Sequence, residues 1–338
     1  MRQIILPILF SLSLFSYAFS QILETPYGKA EVLGLKNWSL QKLLDTLSVR
    51  APGISVDQCA VDLKQIGFPE ASVIRYFDQD NKYYSVVTLV EPENNQFIKY
   101  KNVPSDTLKE ISDWHEGIEF FKVNPMEFQV GLTKYKSDQI FSDTTEFIKS
   151  LNKQKIKNFW GFISKHQTAQ VKELAIWILN HDGNFLNRTI AAALLINFPE
   201  SDLVWWTLVD ALRDPNNKVS TTASQVLIYF SNNTPRRINW DPAINSLFYL
   251  INGTNLFAFN KILEVLTATK ISKELLPALF AKTYGYLVLG YLNAYHEKER
   301  KLSYDFLTSV TGKDFGYDKT KWQNFLKGLS IGSKSSSK

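Results

Sequence analysis

The chain has 338 residues, 45% of them hydrophobic and 21% charged, with 38 basic against 33 acidic side chains. That apolar content excludes an intrinsically disordered protein, and a single cysteine, Cys59, excludes a disulfide-stapled scaffold. A net charge of +5 falls short of the large, clustered surplus of a dedicated nucleic-acid binder, and the length predicts two domains or an extended repeat array.

Residues 1–20 read as a signal peptide: Arg2 supplies the positive start, Ile4 to Tyr17 the apolar stretch, and Ala18-Phe19-Ser20 the small-residue cleavage pattern ahead of Gln21. The apolar stretch is 14 residues, too short for a membrane span of ~20. No later run is longer, so the expected product is exported, periplasmic or secreted, with no stable membrane span after cleavage. Cys59 falls on the stripe Val56, Cys59, Ala60, Leu63, Ile66, which predicts a core thiol on a helix that Ser55 opens and Gly67 ends.

Residues 21–123 alternate between strand and helix signals. Lys29 to Leu35 predicts a strand, and Ser39 an N-cap for a helix carrying Leu40, Leu43, Leu44 and Leu47 on one face. Three further strands are expected over Ala71 to Phe77, Tyr83 to Val90 and Phe97 to Val103, the first two joined as a hairpin by Asp78 to Lys82. A helix is expected from about Pro104-Ser105, with Leu108, Ile111, Ile118 and Phe121 facing inward. This order predicts a small α+β domain with an antiparallel sheet.

Residues 124–155 form a connecting segment and a first helix. From 156 to 328 amphipathic helices follow one another, separated by polar turns such as His181-Asp182-Gly183-Asn184 and Asp214-Pro215-Asn216-Asn217. Asp182 and Asp214 are 32 residues apart, as are Ala191 and Ala223, and in the same register Ile176 overlays Leu208, Leu194 Val226 and Leu195 Leu227. Helices with one apolar stripe bury it by stacking, so a repeat in register predicts a solenoid of about four helical pairs.

The stretch Leu208 to Leu227, with its Asp214 turn and the valine Val219 opening the second helix, resembles a HEAT repeat. The family has an arginine just after that valine; Arg188 holds the place in the preceding unit and Ser220 replaces it here. Looser pairs follow at Asp241 to Ile251 with Leu256 to Leu266, and Thr283 to Tyr295 with His296 to Val310. The segment Thr311 to Asp318, followed by Trp322, looks like the closing segment of exported bacterial HEAT-repeat proteins. Gly312 suits a helix C-terminus, Asp318 an N-cap, and Tyr317 with Trp322 a hydrophobic staple. Residues 329–338 read as a disordered tail. The fold class is therefore an α+β N-terminal domain followed by an all-α HEAT-like solenoid.

No catalytic or phosphate-binding motif is present, no metal is expected and no cofactor is implied. His115 with Glu119 at i+4 is the strongest pair for a metal or a general base, and an exposed histidine is the commoner meaning of such a pair. The acidic turn Asp78, Asp80, Asn81 lacks the glycine and distal glutamate of a calcium loop. Glu297 to Lys301 reads as a solvated helix start. Of the adjacent Trp205 and Trp206, the repeat register sets Trp205 on the outward side, a candidate exposed anchor, with packing against the neighbouring domain as the commoner role. The resemblance implies that second helices line the concave side, placing Arg188, Ser220, Thr222, Asn260 and Lys261 on or near a partner surface.

These features predict an exported, non-catalytic interaction module or scaffold that binds a protein partner, and no nucleic acid, through its helical-repeat surface. A hydrolase-like or metal-dependent enzyme with a site between the N-terminal domain and the first repeats, and a structural envelope protein, are the alternatives.

Overall fold

The computed structural model describes residues 21–58, 60–77, 83–108, 111–137 and 145–332. The expected signal peptide, Cys59, the Asp78 to Lys82 turn and the end of the tail lie outside the described residues.

Four strands, β1 (Gln21–Thr25), β2 (Gly28–Leu33), β3 (Glu70–Phe77) and β4 (Tyr83–Val90), form one sheet in the order β1-β2-β4-β3. β1 pairs antiparallel with β2 through a tight turn that ends at Gly28. Its φ is +137°, and a Cβ there would stand 2.1 Å from the carbonyl oxygen of Tyr83, so only glycine fits. β3 and β4 form the expected antiparallel pair, in the register Val73↔Val87. β2 and β4 run parallel, so the sheet is mixed and the expectation of an antiparallel one is corrected. Two helices, α1 (Leu40–Arg50) and α2 (Ala60–Gln65), lie on the path from β2 to β3, long enough to bring the chain back for a parallel pairing. Ser39 caps α1, its hydroxyl accepting from the Lys42 N–H.

The predicted strand at Phe97 to Val103 does not form. A 3₁₀ turn covers Pro92–Phe97, and the chain then runs extended over the helices. The Lys101 N–H donates to the Arg213 carbonyl at 2.8 Å, and the Lys99 N–H to Thr254 Oγ1 at 2.9 Å. β4 already has β2 and β3 on its two edges, so the chain leaving it finds no free edge of β4 to pair with. The helix expected near Pro104 also starts later, at α3 (His115–Val123), because the Leu108 N–H bonds outward to Asp182 instead of into a helical turn.

Twelve α-helices of five residues or more follow α3 among the described residues, beginning with α4 (Pro125–Thr133), α5 (Glu146–Ser150) and α6 (Lys153–Lys165). Then come four hairpins: α7 (Ala169–His181) with α8 (Phe185–Leu194), α9 (Asp202–Ala211) with α10 (Asn217–Asn233), α11 (Ile244–Ile251) with α12 (Leu256–Ala268), and α14 (Tyr286–Leu292) with α15 (Glu297–Thr311). A single-turn helix, α13 (Leu276–Leu279), precedes the last hairpin, and α16 (Lys319–Gly332) follows it. Within each hairpin the two helices touch; between hairpins α7 meets α9 and α9 meets α11, while α8, α10, α12 and α15 contact one another in sequence. The 32-residue offset reappears as matched turn geometry. The Asn184 and Asn216 N–H groups donate at 2.8 Å to Asp182 Oδ1 and Asp214 Oδ1, and both asparagines cap their helices with side-chain acceptors at 3.0 Å.

The sheet is sandwiched. Ala30, Val32, Ala71, Val87 and Leu89 face Leu43, Leu47 and Leu63 of α1 and α2, whereas Leu33, Val86 and Val90 join the same core as the helical hairpins. β3 touches α12 and β2 touches α14, so the sheet sits on the last hairpins, while α3 contacts α8 and α4 contacts α10. The row of second helices is therefore covered by the chain's own N-terminal half. At the far end α16 packs on α13 and α14. Gly312 ends α15 at φ +66° and Asp318 Oδ1 accepts from the Lys321 N–H, both as expected. The staple differs: Phe315, not Tyr317, packs on the fully buried Trp322, at 4.9 Å between ring centroids. Tyr317 instead meets Tyr304 and the guanidinium of Arg300.

Candidate binding groove

β3 is an edge strand, and the seam between it and the last hairpin is made of polar side chains. Strand alternation turns Glu31 away from Ala30 and Val32, toward α15. Its fully buried carboxylate accepts the Tyr295 N–H, the His296 N–H at 3.2 Å and the Tyr84 hydroxyl at 3.0 Å. These N–H groups lie just ahead of α15, where a helix has unpaired donors and a partial positive charge, so Glu31 stabilises that end from another layer of the fold. Glu299, also fully buried, accepts the Tyr76 hydroxyl and Asn260 Nδ2, the latter at 2.6 Å. The His296 ring stacks on Tyr76 at 3.8 Å and lies beside Tyr84 at 5.4 Å.

Burial and the neighbouring carboxylates hold Tyr76 and Tyr84 well above the ordinary tyrosine pKa, so both remain hydrogen-bond donors. Burial pushes His296 below its ordinary value although Glu299 and Glu31 pull the other way, so the ring is neutral near pH 7. Glu31 and Glu299 have their donors, and the Tyr76 and Tyr84 hydroxyls their acceptors. This cluster fixes β3 against α12 and α15.

Beside that seam a groove of about 310 Å³ opens, lined by Ile74 and Tyr76 of β3, Phe257, Asn260, Lys261 and Glu264 of α12, and α15 residues from Lys298 to Asp305. On the other side of β3 a second groove, of about 460 Å³, is lined by Ala60, Val61 and Lys64 of α2 and by Ala71, Val73 and Arg75 of β3. Phe257, 59% exposed, lines both. Between the grooves runs the outer edge of β3, whose backbone pairs with β4 alone among the described residues. A larger depression of about 850 Å³ follows the solvent face of α1 and gathers no buried ionisable group.

The residues expected on a partner surface separate into two sets. Asn260 and Lys261 line the first groove. Trp205 is fully buried, so its expected exposure is corrected: its ring packs on Phe230 at 5.0 Å and its indole N–H donates to the Pro199 carbonyl at 2.8 Å. The register set Trp205 over Glu173, which is exposed on α7, but on α9 that position is covered by Phe230 and Trp240, and Trp206 is the half-buried member of the pair. Arg188 is buried as well, with Nε and Nη2 on the two Asp214 oxygens at 2.8 and 3.1 Å and Nη1 on the Asp182 carbonyl at 2.8 Å. It joins one turn to the next. Ser220 and Thr222 are buried on α10, the helix that α4 covers. The concave side reserved for a partner is thus filled from within at these positions.

Sequence reasoning missed Glu31, Tyr76, Tyr84, Phe257 and Glu299. Glu299 is the sharpest case, since the Glu297 to Lys301 run reads as solvated and the residue is fully buried. Its partners Tyr76 and Asn260 are remote in sequence, so no local pattern carried the signal. The one exposed tryptophan among the described residues is Trp177, stacked on His181 at 5.2 Å.

His115 is exposed at the start of α3, and the Glu119 carboxylate engages Lys122 at 3.0 Å. The sheet rests on the last hairpins, so the cleft imagined between it and the first repeats is not where the sheet packs. Among the described residues no group of three or more His, Cys, Asp or Glu side chains is placed to hold a metal ion, and no helix is long and apolar enough to cross a membrane. No protein-family model matches the chain, and neither a curated protein nor a solved structure matches it.

Proposed function

We propose that the protein is an exported, non-catalytic interaction module that holds a protein partner in the groove bounded by β3, α12 and α15. The observation that carries this reading is an open strand edge flanked by two grooves that meet at the exposed Phe257. Stacked hairpins in the manner of HEAT repeats would supply rigidity, and α12 and α15, both second helices, supply one wall of the groove. The polar seam beneath supports a fixed surface: its acids and phenols are already paired, which suits holding better than turnover.

Site-specific photo-crosslinking tests this. A benzophenone side chain in place of Phe257, and another in place of the 78% exposed Val49 on α1, are compared in the native compartment. A discrete adduct from the first position only, competed away by unmodified protein, is expected. Equal labelling from both positions, or none from either, refutes the groove.

A further inference from the structure

From the chemistry of the two grooves we infer that the partner segment is an extended acidic strand that adds to the outer edge of β3. This inference rests on the groove reading above and goes beyond it in naming the conformation and the charge of what is held.

The conformation follows from the backbone. Residues 73–77 of β3 are half-exposed or exposed, in contrast to the buried Glu70, Ala71 and Ser72. Their outward N–H and C=O groups pair with no other strand among the described residues. Such an edge is a template for a further strand, and a peptide that satisfies it gains main-chain hydrogen bonds whatever its sequence. Five residues give about 17 Å of edge. Because side chains alternate, a strand added there would send successive residues to opposite faces. On β3 itself Ile74 and Tyr76 line the first groove, and Val73 and Arg75 the second. Every other residue of the incoming segment would then enter the same groove, with Phe257 against its flank.

Charge follows from the lining. The second groove carries Lys64 and Arg75 over an apolar floor of Ala60, Val61, Ala71 and Val73, and among the described residues no carboxylate lines it. Arg75 Nη2 donates to the main-chain carbonyls of Asp57 and Gln58 at 2.6 and 2.9 Å, and among the described residues no acid forms a salt bridge with it. Those carbonyls orient the guanidinium without neutralising it. Lys64 is shared with Glu70 at 2.8 Å. In the first groove Lys261 lies 3.5 Å from Glu264 and Lys301 2.7 Å from Asp305, while Lys298 stands over the Tyr76 ring at 5.8 Å. Apolar surface there comes from Ile74, Phe257 and Leu302. The complementary strand therefore alternates, with carboxylates toward Lys64 and Arg75 and apolar side chains toward Ile74 and Leu302.

Fluorescence anisotropy on the purified full chain, with a labelled peptide of alternating valine and glutamate as the probe, tests this. Saturable binding is expected that weakens as salt rises. The alternating valine–lysine peptide should bind about tenfold more weakly or worse, since like charges would then face each other. A valine–glutamate peptide methylated on alternate backbone nitrogens should lose binding on the edge-facing register, because the main-chain donors are gone. Phe257→Ala, at an exposed position, should weaken the probe about tenfold. Equal binding of the methylated peptide refutes strand addition, equal binding of the lysine peptide refutes the charge assignment, and indifference to Phe257→Ala moves the site elsewhere. Self-association that Phe257→Ala abolishes would assign the edge to a second copy and overturn the inference. A discrete crosslink at position 257 without peptide binding would remove the acidic strand and leave the groove; absence of both would remove the groove too.

Discussion

Arg188→Met separates a turn-joining role from a partner-binding one. The substitution keeps most of the side-chain length and removes three hydrogen bonds, two of them to the Asp214 carboxylate. Asp214 is 4% exposed, so once the guanidinium is gone its charge keeps, among the described residues, the Asn216 N–H at 2.8 Å. Breaking a buried pair from one side costs about 3–5 kcal/mol, because the remaining charge stays desolvated. Urea unfolding followed by far-UV circular dichroism should show a loss of that size relative to wild type. A double-mutant cycle with Asp214→Asn should show the pair losing at least ~1.5 kcal/mol less than the sum of the singles. Arg188→Met within ~0.5 kcal/mol of wild type, or additive singles, would refute the rung between turns. Unchanged stability with lost partner binding would return Arg188 to the surface role that its position in the repeat first suggested.

Two further outcomes follow from burial. Trp205→Ala should cost about 3–5 kcal/mol by chemical denaturation, the range for emptying a large buried side chain, while Trp206→Ala, at a half-exposed position, should cost much less; the reverse order would restore Trp205 to the surface. The lowered pKa of His296 makes the unfolded chain the better proton acceptor below its ordinary 6.5. Stability from this residue is therefore complete above that pH and declines as pH falls from there toward the folded value. His296→Phe should flatten the decline in a pH series of unfolding curves, and an identical slope in wild type and variant would refute the effect of burial on the ring.

Elements set by local pattern were legible. Ser39 and Asp318 announce caps, Tyr83 to Val90 announces a strand by composition, and the aspartate turns announce hairpins 32 residues apart. Features set by distant partners were not. Phe97 to Val103 has strand composition, yet its backbone donors are taken by Arg213 and Thr254 across the helical layer. Glu31 and Glu299 look like surface charges until β2, β3 and α15 are brought together, and Trp205 looked exposed because the repeat register does not carry the rings of Phe230 and Trp240 that cover it. In the groove, Asn260 and Lys261 were found through their place on a second helix, whereas Phe257 had nothing to distinguish it from the core phenylalanines around it.

The contact between Glu31 and the chain entering α15 joins residues separated by 264 positions. The second strand made thus waits for the last hairpin before its carboxylate finds its donors. Contacts of that span are slow to form because a very long loop must close first. A chain closed this way stays sticky until it is nearly complete, and removing the final hairpin would leave the opening segment unable to finish.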